Sequence, residues 1–147
     1  MSYDVTYSLR KALESSVPEA NDVQIIYEGV ELTNIPKPYL TIEYITDSVE
    51  ELSAGHRSYF DTYNFQVGVF ANDVNELFRL ESKVRKVLRE PKGHTLYSYD
   101  ELTESFVDTG NKIPLYDNGF TPIRNEDNSN ITDNHRGYFD VSVEVLT

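Results

Sequence analysis

The chain has 147 residues and a net charge of −12, from 25 acidic and 13 basic side chains. Phosphate contacts need clustered Lys and Arg, so this balance argues against free nucleic acid as a ligand. With no cysteine in the sequence, disulfides, thiolate zinc sites and cysteine nucleophiles are all excluded.

The length suits one domain, residues 1–147, able to bury a real core. A hydrophobic fraction of 39% is modest, and 11 Tyr and 7 Phe add bulk to it. The first residues show no basic segment followed by an apolar run, and no apolar stretch approaches a membrane span. The expectation is a protein without a membrane partner, working in the compartment where it is made.

Residues 4–17 read as a helix, with Asp4 as N-cap and Val5, Leu9, Ala12, Leu13 and Val17 on one face. Pro18 closes it. Residues 23–27 read as a short strand. Pro36 and Pro38 make 34–38 a rigid extended linker, because proline fixes its own φ and restricts its predecessor. Residues 39–45 read as a second strand, with Leu40, Ile42 and Tyr44 on one face. Residues 47–55 are acidic and lack a base, which predicts an exposed hairpin tip.

The organising stretch follows. Tyr59, Tyr63, Phe65, Val67, Val69 and Ala71 share one face of a central strand. At Asn72-Asp73 the period changes: Asp73 can cap a helix, and Glu76 stands where a capping-box partner belongs. Leu77, Leu80, Val84, Val87 and Leu88 then give one apolar face to a helix over 74–90, which Pro91 and Gly93 end. Residues 95–99 suit a further short strand, and 102–108 fit neither period. Residues 110–136 are poor in periodicity and rich in Asn, Asp and Gly, which predicts a long polar loop. Residues 139–145 alternate cleanly, which predicts a strand pinned antiparallel to the central one. The sum is an α+β fold: a mostly antiparallel sheet of four or five strands packed against two helices.

Chemistry is sparse. His56, His94 and His135 fall in predicted turns without shared spacing, so no metal or catalytic site is expected of them. No carboxylate pair stands out as an acid/base couple, and there is no Gly-x-Ser-x-Gly turn and no Gly-rich phosphate loop. Residues 125–131 alternate oxygen-bearing side chains, but they lack the glycine and closing glutamate of a calcium loop. No catalytic residue, cofactor or metal is expected.

The charge pattern says more. Arg79, Lys83, Arg85, Lys86 and Arg89 are five of the 13 bases, packed into eleven residues of the central helix. Cations near a helix C-terminus complement its dipole, and a polar helix face must be charged in any case. The same face could also meet an acidic surface, such as Asp47, Glu50 and Glu51 or Glu126 and Asp127. A basic helix and acidic segments on one molecule suit head-to-tail contacts that close a ring.

The order of elements carries a resemblance. Pro36-Lys37-Pro38-Tyr39-Leu40-Thr41-Ile42 leads into a strand. Tyr63-Asn64-Phe65-Gln66-Val67-Gly68-Val69-Phe70 runs straight into a helix. Val107-Asp108-Thr109-Gly110-Asn111 and the closing Arg136-Gly137-Tyr138-Phe139-Asp140-Val141-Ser142-Val143 follow. This pattern resembles the tail-terminator or neck proteins of long-tailed bacteriophages. The resemblance implies a structural subunit of the virion, without catalysis, assembled in the host cytoplasm into a ring that is typically a hexamer. Such a ring caps the head-proximal end of the tail tube, meets the tube protein below and the head connector above, and lets DNA pass through its lumen without specific binding. Two other readings stay open: another neck ring, such as a head-completion protein, and a small hydrolase or ligand-binding domain with its site in 110–136.

Overall fold

The computed structural model describes residues 2–26, 35–51, 59–123 and 135–146. Two helices, α1 (Ser2–Ser16) and α2 (Val74–Leu88), accompany seven strands. These are β1 (Val23–Ile26), β2 (Tyr39–Glu51), β3 (Tyr59–Phe70), β4 (His94–Asp100), β5 (Ser105–Ile113), β6 (Leu115–Ile123) and β7 (Arg136–Leu146). Five strands form one sheet in the order β1-β2-β3-β7-β6, and β4 pairs with β5 in a second, two-stranded sheet. Every pairing is antiparallel except β1 with β2. The fold is therefore α+β, as the sequence predicts.

The large sheet is organised by alternation. Register places Leu40 opposite Val69 and Ile42 opposite Val67. On the other side of β3, Val67 faces Phe139 and Phe65 faces Val141. All seven side chains are buried, and they meet Val5, Leu9 and Leu13 of α1 and Leu80, Val84 and Leu88 of α2 in one core. Each helix contributes an apolar stripe at spacings of three and four, and removing such stripes from water holds the layers together. Phe139 packs at a tilt against Phe120, with ring centroids 4.7 Å apart. Phe120 can lie over β7 only because position 137 is glycine: a Cβ there would come within 2.2 Å of its ring.

The opposite face is mixed. Near one end Tyr39 stacks on Phe70 at 4.6 Å, and Tyr138 meets Phe70 edge-on at 6.2 Å. Gly68 leaves room for this packing, since a Cβ there would lie 2.3 Å from Thr41 Oγ1. Farther along, the face turns polar: Asn118 Nδ2 donates to Ser142 Oγ at 2.6 Å, and that hydroxyl donates to Asn64 Oδ1 at 2.9 Å.

The small sheet hangs on α1. Tyr97 N donates to Ser8 Oγ at 2.8 Å, and Tyr99 N donates to Asp4 Oδ1 at 3.1 Å. These helix side chains satisfy the outward amides of β4, which has no strand on that side among the described residues. Rings complete the attachment: Phe106 stacks on Tyr7 at 3.6 Å and takes the edge of Tyr3 at 5.1 Å.

Four expectations need correction. The first helix starts at Ser2, so Asp4 lies in its first turn and spends its side chain on β4 rather than as N-cap. The second strand does not stop at 45: β2 runs to Glu51, opposite Tyr59, so 47–51 of the expected hairpin tip is strand, while 52–55 lie outside the described residues. A ladder needs backbone groups, and a stretch exposed on both faces shows no apolar alternation. The long loop over 110–136 is largely absent among the described residues. Residues 105–113 and 115–123 are strands, and 124–134 lie outside the described residues. A register shift between Asp117 and Phe120, a turn glycine and Pro122 hide the period of β6, which is an edge strand and tolerates all three. Of the loop in which a ligand site was expected, the part that is not strand, 124–134, lies outside the described residues.

Candidate subunit interface

α2 is capped much as its sequence suggests. Asp73 Oδ accepts from Glu76 N at 2.8 Å. The Glu76 carboxylate reaches back one residue farther than a standard capping box and accepts from Asn72 N at 2.8 Å. Asn72 Nδ2 in turn donates to Lys37 O at 3.1 Å, tying the helix start to the proline linker. At the other end the ring Nε2 of His94 donates to Val87 O at 2.6 Å, which occupies a carbonyl the helix cannot satisfy itself.

The five cations of α2 divide by partner. Arg85 Nε and Arg89 Nε both donate to Asp117 Oδ2, at 3.0 and 3.1 Å. The Asp117 side chain is only 3% exposed, and its other oxygen accepts from Gly119 N at 2.9 Å. Arg85 also lies 5.4 Å from the centroid of Phe139 and 3.5 Å from Glu81. Lys83 pairs with Glu19, whose carboxyl is held below its usual range, first by that hydrogen bond and then by its own backbone amide. Three of the five cations are therefore committed within the chain. Arg79 and Lys86 are exposed and form no ion pair among the described residues.

The acids expected to answer this face fare differently. Asp47 is exposed on β2, opposite Tyr63. Glu50 and Glu51 are β2 residues whose side chains lie outside the described set, as do Glu126 and Asp127 entirely. Asp47, the one of these acids with a described side chain, forms no ion pair with α2 among the described residues. The acids outside the helix that do so, Asp117 and Glu19, lie 28 and 64 residues from their partners and carry no local signal.

A second acidic surface went unread. The turn between β4 and β5 carries Asp100, Glu101 and Glu104, with Asp108 beyond and no base among them. Asp100 Oδ1 accepts from Leu102 N at 2.9 Å and so shapes the turn, while Glu104 sits at φ 53°. Glu101 and Glu104 form no ion pair among the described residues. Between them Leu102 is 95% exposed. The run of acids around one leucine was visible in the sequence, but without a predicted turn it had no place.

Hollows on the helical side vary in size. One of about 170 Å³ lies between the end of α1 and the start of α2, lined by Glu19, Pro38, Glu76, Arg79, Leu80 and Lys83. A larger one of about 480 Å³ runs past the ends of both helices, between Pro18, Glu19, Lys86, Glu90 and His94, and is lined mostly by charged and polar groups rather than the apolar walls usual in a small-molecule site. Among the described residues no three His, Asp or Glu side chains converge to hold a metal, and no helix is long and apolar enough to cross a membrane.

Comparison with protein-family models found no match, and comparison with curated proteins found none either.

Proposed function

We propose that the chain is a structural subunit of a ring in the neck of a long-tailed bacteriophage, a tail terminator that caps the head-proximal end of the tail tube and joins it to the head connector. One observation carries this reading. Three of the four stretches that bear the resemblance to such proteins, 36–42, 63–70 and 136–143, lead into or lie on β2, β3 and β7, three strands hydrogen-bonded side by side at the centre of the large sheet. The fourth, 107–111, lies on exposed β5, so the resemblance follows the packed framework for the most part.

Other features agree with it. Among the described residues the large sheet ends in β1 and β6, and closure by symmetry is one way to cover such edges. A net charge of −12 gives passing DNA no resting place. Uncommitted Arg79 and Lys86 offer a subunit contact to an acidic surface. The described side chains serve packing and pairing, and the work assigned here is to be a shaped part of an assembly.

The test is deletion of the gene from the phage that carries it. Heads with overlong or unjoined tails are expected in electron micrographs. Normal, infective virions would end the proposal.

A further inference from the structure

Two surfaces of this molecule are each other's chemical complement and lie on different elements. The solvent stripe of α2 carries Phe78, Ser82 and Lys86 at spacings of four, with Arg79, three before Ser82, beside them. Phe78 is 60% exposed in the middle of these polar groups. The turn between β4 and β5 carries Glu101, Leu102 and Glu104. Each surface sets a large exposed apolar side chain near charges: acidic at the turn, and basic on the helix, where Glu81 beside Phe78 is paired with Arg85. Leu102 and Phe78 are among the most exposed large apolar residues described. Neither patch is satisfied by the chain itself: its own Leu102 is almost wholly in solvent, and Arg79, Lys86, Glu101 and Glu104 form no ion pair among the described residues.

We infer that the β4–β5 turn of one copy docks on the α2 stripe of the next, Leu102 against Phe78, with Glu101 and Glu104 facing Arg79 and Lys86. The occupant is a second copy of this chain, because one molecule presents both halves of the match. The two halves are different patches, so the contact is heterologous; repeated, it runs head to tail and closes a ring if the rotation per subunit allows. Charge sets the register, and the apolar pair leaves water at the centre. With each copy at −12, a local match of this kind is also what lets like-charged subunits approach in one orientation. This inference rests on the ring reading above and names the contact that holds the ring.

Charge exchange tests it. One variant carries Arg79→Glu and Lys86→Glu; the other carries Glu101→Lys and Glu104→Lys. All four positions are exposed, and circular dichroism checks that both variants fold. Sedimentation should show wild-type chain assembling and each variant alone associating about 100-fold more weakly, since like charges now oppose one another. An equimolar mixture should recover assembly, because each variant's altered surface complements the other's. A thiol trap adds a geometric readout. The sequence has no cysteine, so Ser82→Cys and Leu102→Cys chains, mixed and oxidised, bring the only thiols. They should cross-link at least about tenfold faster than Leu102→Cys with a control thiol at exposed Tyr116, because exchange rates depend on access. If wild-type chain assembles while either variant keeps its mass, or the mixture stays monomeric, or the trap shows no preference, this contact is wrong and the ring reading stands. A wild-type chain that remains monomeric up to millimolar concentration overturns both.

Discussion

The two sheets of this molecule are held by different physics. The five-stranded sheet packs one face against two helices, and its central side chains, Phe65, Val67, Phe139 and Val141, have almost no contact with water. The two-stranded sheet buries little. Apart from Phe106 and Ile113, β5 is exposed along its length, and β4 is attached to α1 by two amide hydrogen bonds and a cluster of rings. Area removed from water sets how hard a region is to open, at roughly 25 cal/mol per Å² of apolar surface. The large sheet should therefore open only with global unfolding, and the small one at lower cost. The division suits an assembly subunit: one region supplies cohesion, and the other carries surface that a neighbour can cover.

The largest test of this contrast is Phe139→Ala. Phe139 sits between Phe120 and the Arg85 guanidinium in the packed layer. Deleting its ring should cost about 3–5 kcal/mol, a large part of the stability of an ordinary domain. Urea unfolding should show the loss as a shifted midpoint with an unchanged slope. A loss under about 1 kcal/mol would mean that the layer is looser than its burial indicates.

Asp117→Ala comes next, and it probes the polar seam between α2 and β6. The aspartate is nearly dry, yet Arg89 is 65% exposed and Arg85 a third exposed, so water screens part of the pairing. The expected loss is about 2 kcal/mol, mostly from leaving Arg85 without its partner beside Phe139. Arg89→Ala should cost less than about 0.5 kcal/mol, as exposed pairs do. Equal losses for both would show that burial does not rank these pairs, and would remove the seam from the cohesive region.

What could be read from the sequence follows the same division. α2, its Asp73 cap, β3 and β7 were legible because each has one wet and one dry face, and burial writes its period into the residues. The basic face of α2 was legible as well, but its partners were not. Asp117 and Glu19 reach it through tertiary folding, and no spacing rule links residues so far apart. β5, β6 and the end of β2 were missed because little of them is buried, so their side chains carry no alternation; backbone pairing alone makes them strands. The Leu102 turn was missed for the same reason, since a surface made for a neighbour looks like loop when the neighbour is not in view.

A smaller effect than that of Phe139 or Asp117 is the most discriminating. Ser8 is buried on α1, where its hydroxyl donates to Asp4 O at 2.7 Å and accepts from Tyr97 N at 2.8 Å. Ser8→Ala removes the acceptor and leaves an amide of β4 unpaired, worth about 1–2 kcal/mol. Alanine is the better helix former and returns about 0.3–0.5 kcal/mol to α1. The net cost, near 1 kcal/mol, should fall on the small sheet alone. Amide exchange at Tyr97 should quicken about fivefold to tenfold, the factor that energy implies, while amides of β3 and β7 keep their rates. If β3 and β7 quicken by the same factor, the two sheets open together. The small sheet is then part of the core's cooperative unit rather than a separately tethered docking element.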